Sequence, residues 1–178
     1  MKVTCDMNQY GDQRLTPPVQ NAMKWEAPPV GTIKLNADAA FEVATGCSAG
    51  DAVARDHQGR VLFSMGCNID RCSSVEEAEG IAGLMGLREL AKHFNGPVEV
   101  EMDCLMLSRA VAPGVSNLSP LYPIVADMHA ILAGYPSCKT RWIRREQNGL
   151  AHGLAHRAKL LGDFFQLSSV PDELSDIW

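Results

Sequence analysis

The sequence predicts an α/β domain: a five-stranded mixed sheet, three antiparallel strands followed by parallel ones, flanked by helices. Three observations lead there. The stretches 32–41 and 98–104 alternate apolar and polar residues, the period of a strand with one apolar face. ARDHQGRVLF at 54–63 reads as a β-hairpin, so the opening is an antiparallel meander. From Ser74 onward helical periods separate the strands, and strands joined through helices imply parallel pairing.

At 178 residues the chain suits one domain large enough to bury a core. Its 46% hydrophobic and 21% charged residues are those of a soluble globular protein. No run of about eighteen apolar residues suggests a membrane span, and 1–14 lacks the apolar region of a secretory signal. Six cysteines show neither CxxC nor metal-finger spacing, so reduced thiols in an intracellular protein, nuclear or cytoplasmic, are expected. A net charge of −5 argues against a broad basic surface for nucleic acid, while leaving room for a local one.

In chain order, residues 1–23 are polar, contain Pro17-Pro18 and show no period; they read as a flexible leader before a domain at 24–178. The first strand, 32–41, sets Ile33, Leu35 and Ala37 against Lys34, Asn36 and Asp38. A turn with Gly46 leads to strands at about 49–56 and 61–69, joined by a tight turn at 57–60. Ser73 or Ser74 caps a helix that runs to about His93, with Val75, Ala78, Ala82, Met85 and Leu90 near one stripe. Asn95-Gly96-Pro97 ends it. The strand at 98–104 places Val98, Val100 and Met102 on one face and Glu99, Glu101 and Asp103 on the other, where three carboxylates call for a cation among them. A short helix at 105–112, a Pro/Gly/Ser break at 113–120, a helix through about 133, a strand at 139–145 and a helix at 147–161 follow. The tail reads as turn-rich, packing through Phe164, Phe165 and Trp178.

Three acids stand out in this framework. Asp38 ends an apolar strand, Glu79 falls on or beside the apolar stripe of the first helix, and Asp103 ends the fourth strand. Each has a structural reading: a turn cap, a solvated helix glutamate, the cap of the next helix. Taken in register, the three read better as a cluster, the means by which proteins hold hard, oxygen-seeking Mg²⁺ or Mn²⁺. Two such ions roughly 4 Å apart serve phosphodiester hydrolysis. His152 and His156 have a zinc-compatible spacing but no HExxH pattern, so only His152 is expected to face the site. Arg141, Arg144, Arg145, Arg157 and Lys159 form a local basic run, either phosphate contacts or a solvated surface.

Five motifs in order resemble the ribonuclease H-like domains abundant in plants, related to the ribonuclease H part of retroelement reverse transcriptases. They are W-x-x-PP-x-G-x-x-KLN-x-D-AA-F at 25–41, ARDHQGRVL at 54–62, AEGIAGLMGL at 78–87, VEVEMDC at 98–104 and IRREQNGLAHGLA at 143–155. The resemblance implies a ribonuclease H-like fold and an active site of four acids holding two Mg²⁺ ions. Asp38, Glu79 and Asp103 match the first three. At the fourth, in N-x-x-x-D-x-L-A, this chain has His152, which can ligate a divalent ion but is neutral and softer. Ala39 stands where classical members have glycine, and the flexible His-bearing loop that bacterial members have before the last helix is absent, the stretch Arg144-Arg145-Glu146-Gln147-Asn148 being short.

The resemblance implies divalent-metal-dependent cleavage of the RNA strand of RNA–DNA hybrids, with Asp38, Glu79, Asp103 and His152 as catalytic and metal-binding residues. The alternative is a catalytically weak or inactive module of this fold that binds a protein or nucleic-acid partner, which Ala39, His152 and the acidic charge favour. No membrane partner is expected.

Overall fold

A computed structural model describes residues 24–69, 71–112 and 120–177. The leader at 1–23, all but the last residue of the 113–120 break, and Trp178 lie outside the described residues. Strand β1 (Ile33–Phe41) is central: it runs antiparallel to β2 (Ser48–Arg55) and parallel to β4 (Val98–Met102). Beyond β2 lies antiparallel β3 (Val61–Ile69), and beyond β4 lies parallel β5 (Cys138–Trp142). The tail supplies a sixth strand, β6 (Phe164–Leu167), antiparallel to β3, so the order is β5-β4-β1-β2-β3-β6. The expected five-stranded sheet is therefore six-stranded. The four residues Phe164–Leu167 are too few to show a period, but the open edge of β3 gives their backbone groups partners.

Helices cover both faces. Helix α1 (Val75–His93) lies on one, with α2 (Leu105–Val111) and α3 (Tyr122–Leu132) packed beside it; α4 (Gly149–Leu161) crosses the other. Leu35, Val100, Met102, Leu87, Leu90 and Met128 share the first core, and burial of each large side chain contributes about 1.5–3 kcal/mol. Val53, Leu150, Ala151 and Leu154 form the second. Ser74 caps α1 by accepting the Glu77 N–H at 3.1 Å, as the sequence predicts. Val75 departs from the expected stripe and is exposed. At Gly86 a Cβ would lie 2.5 Å from Ala52 Cβ, so the helix approaches the sheet closely only because the residue has no side chain.

The polar face of β1 is not solvated. Lys34, Asn36 and Asp38 are as buried as Leu35: α4 and the turn before it, the 3-10 helix Arg145–Asn148, meet Asn36 and Asp38, while Lys34 lies against Trp25 and donates to the Glu26 carbonyl at 2.7 Å. That turn also shortens the expected strand at 139–145 and delays the last helix to Gly149. The sheet thus encloses a polar layer with its own wiring. Lys34 Nζ lies 2.6 Å from Glu101 and 3.6 Å from Glu99, and is the cation that the face of three carboxylates requires. Arg55 stacks 3.8 Å from the Trp25 ring and donates to Asn36 Oδ1 at 2.9 Å, which also accepts Trp25 Nε1 at 3.0 Å.

Candidate metal centre

The site arises where two parallel strands part. Pairing between β1 and β4 ends at Ala37 and Met102, while β1 continues to Phe41. Asp38 and Asp103, the next residues, therefore stand together at the mouth of the opening. Asp38 is inside its strand, not at its end as the sequence suggests. Glu79 arrives from the second turn of α1. Ligand oxygens of Asp38, Glu79 and Asp103 all lie within 4.8 Å of one another. Asp38 and Glu79 are buried, Asp103 partly so.

Charge is crowded here. Burial, then the charges of Asp38 and Asp103, push the Glu79 carboxyl up to about 10. Burial, then Asp38, raises Asp103, against hydrogen bonds that include one from Asn148. Asp38 Oδ1 is buried without a hydrogen-bond partner. Three carboxylates at this spacing, one with an unsatisfied oxygen, suit a hard divalent cation.

His152, on the first turn of α4, points at the cluster: Nδ1 lies 2.7 Å from Asp38 Oδ2. A nitrogen facing a carboxylate donates, which places a proton on Nδ1, and Arg145 Nη2 lies against the same ring, 3.0 Å from Nδ1 and 3.1 Å from Nε2. His156 meets the His152 ring edge-on at a centroid distance of 4.5 Å, and neither belongs to the ligand cluster found among the described residues. Glu101 is held by Lys34, a structural role.

The basic run is dispersed. Arg141 lies 3.8 Å from Glu99, Lys159 3.9 Å from Glu42, and Arg157 faces Glu173 and the Phe164 ring. Arg144 and Arg145 remain exposed beside the site. Trp142, nearly half exposed, donates from Nε1 to the Asp103 carbonyl at 2.9 Å.

Two residues of the site escape a reading of the sequence. Asn148 donates to the Ala37 carbonyl at 2.9 Å and to Asp103 Oδ1 at 3.2 Å, tying both parting strands to α4. Asp51 is buried opposite Asp38, and burial, then the charges of Asp38 and Glu79, raises its carboxyl well above the usual range. Its only signal in the sequence is to be the one acid in SAGDAVAR, a run of small residues without a period.

Sheet and helix arrangement are those of a ribonuclease H-like domain. The structure is similar to RNase H1 of Halobacterium salinarum NRC-1 (TM-score 0.66, 21% identity, 72% of this chain and 97% of that one). It is also similar to the N-terminal RNase H domain of a Mycobacterium tuberculosis protein (TM-score 0.68, 20% identity, 74% and 96%). LC11-RNase H1 in complex with an RNA/DNA hybrid gives 0.63, at 23% identity over 70% and 94%. A family model described as reverse transcriptase-like matches residues 36–158. The chain belongs to that ribonuclease H-like family. It is 31% identical over 162 residues to the Arabidopsis thaliana "Putative ribonuclease H protein At1g65750", a match spanning 90% of this chain and 26% of that relative. No described helix is long and apolar enough to cross a membrane.

Proposed function

We propose that residues 24–178 form a divalent-metal-dependent endonuclease domain that hydrolyses the RNA strand of RNA–DNA hybrids inside the cell. The observation behind this reading is the convergence of Asp38, Glu79 and Asp103 within 4.8 Å, with Asp38 Oδ1 buried and unpartnered. Asp38, Glu79 and Asp103 would hold the ions. Mg²⁺ or Mn²⁺ bound there supplies Lewis acidity for activating water and stabilising the leaving oxygen. His152 takes the fourth position: it orients Asp38 through Nδ1, and helps hold the second ion or place the departing product. Asn148 fixes Asp103 and the end of β1, so the acids are aligned before any substrate arrives. Arg144 and Arg145 lie where phosphates of a duplex would pass, and recognition rests on shape, phosphates and 2′-hydroxyls. The similar LC11-RNase H1 and foamy viral protease-reverse transcriptase, both in complex with an RNA/DNA hybrid, support the choice of substrate.

One observation favours a second reading, a binding module without catalysis. His152 Nδ1 already engages Asp38 and adds no negative charge to the cluster. Cleavage of a labelled RNA–DNA hybrid in Mg²⁺ and in Mn²⁺ separates the two. Metal-dependent cleavage that is lost in both Asp38→Asn and Asp103→Asn is the expected result. Equal inertness of folded wild type and variants would end the catalytic reading.

A further inference from the structure

The polar layer beneath α4 contains a fourth carboxylate at the metal centre. Asp51 faces Asp38 in the antiparallel register of β1 and β2 and is 2% exposed. Its Oδ1 accepts the Asp38 backbone N–H at 3.1 Å, while Oδ2 is buried with no hydrogen-bond partner, the same condition as Asp38 Oδ1. No ion pair among the described residues reaches Asp51. The cations of this layer are engaged elsewhere: Lys34 with Glu99 and Glu101, Arg55 with Asn36 and Trp25. Asp51 meets the cluster through Asp38, its partner across β1 and β2, so an ion held by Asp38 would stand near the free Oδ2 as well.

We propose that Asp51 is a positioning residue of the metal centre: it fixes the main chain at Asp38 and, once an ion is bound, offers the carboxylate charge that His152 does not bring. This rests on the reading of Asp38, Glu79 and Asp103 as ion ligands. Groups just outside the ligands orient them, and their loss costs tenfold to a hundredfold in metal affinity. Asp51 does not belong to the 4.8 Å cluster, which puts it behind the ligands and not among them.

The test is Mn²⁺ binding to the purified chain, followed by calorimetry and by the electron paramagnetic resonance of free Mn²⁺. Asp51→Asn keeps the volume and an acceptor for the Asp38 N–H but deletes the charge; Asp51→Ser is the second variant. Melting in chelator reports the fold of each. Expected are binding by wild type, loss of it in Asp38→Asn, and affinity about tenfold to a hundredfold weaker in the Asp51 variants, with unchanged or higher Tm in chelator. Wild-type affinity in folded Asp51→Asn overturns the proposal and leaves the metal centre standing. Failure of both Asp51 variants to fold in chelator also overturns it, since the carboxylate would then serve the fold without any ion. No binding by folded wild type removes the metal centre and this inference together.

Discussion

Two buried acidic clusters lie along the same pair of strands, and they are solved differently. At one end, Glu99 and Glu101 surround Lys34, whose Nζ reaches both, with Lys139 and Arg141 adding longer contacts to Glu99. At the other end, Asp38, Asp51, Glu79 and Asp103 gather with no lysine or arginine closing an ion pair on them among the described residues; His152 alone faces Asp38. The first cluster is internally neutralised and rigid. The second has no such counter-charge, and burial and mutual repulsion raise the carboxyl groups of Glu79, Asp51 and Asp103 above their ordinary range. Where a fold supplies its own counter-charge, the acids are structural. Where it withholds one, the acids are placed as the proposed metal centre needs them.

The sharpest way to break this contrast is to empty the compensated cluster. Lys34→Met leaves Glu101 buried with only the Asn36 amide donating to it and Glu99 with only its longer contacts to Lys139 and Arg141, and should cost about 3–5 kcal/mol by denaturant unfolding, with or without Mg²⁺. A loss below about 1 kcal/mol would show that the two ends are not different in kind. Next in size is the link between them. Asn148→Ala removes the donors to Ala37 and Asp103 and the acceptor for Asn36 Nδ2, and should cost about 1–3 kcal/mol in the same measurement.

The smallest effect per step is in pH. Glu79 binds its proton more tightly folded than unfolded, so its contribution to stability is fully present below about pH 4.5 and is lost as pH rises toward about 10. In chelator the stability should therefore fall by up to about 1.4 kcal/mol per pH unit across that window. Mg²⁺ should flatten the slope, and so should Glu79→Gln. A slope of opposite sign in wild type, followed by thermal melting at fixed ionic strength, would contradict the raised carboxyl.

Most of this arrangement was legible in the sequence, for a physical reason. Asp38 and Asp103 stand toward the ends of strands with an apolar face and Glu79 on the apolar side of a helix, and an acid in such a position must be accounted for. The meander, the long capped helix and the alternating 98–104 strand were equally plain. Asp51 was not, because Ala49, Gly50, Ala52 and Ala54 are too small to mark faces. Lys34 was visible as polar, yet nothing local says that its face lies under a helix more than a hundred residues further along the chain. The sixth strand was hidden for the same reason: its pairing depends on the free edge of β3 and not on its own four residues. Local chemistry reveals where charge is anomalous; only the fold reveals what covers it.

The bond from Trp142 to the Asp103 carbonyl gives the molecule an optical handle. An indole fixed at one edge to the acid-bearing turn, with its ring nearly half in water, must register any tightening of that turn. Its emission would then follow occupancy of the site without a label or a substrate. A dye that evolution did not intend sits one hydrogen bond from the chemistry.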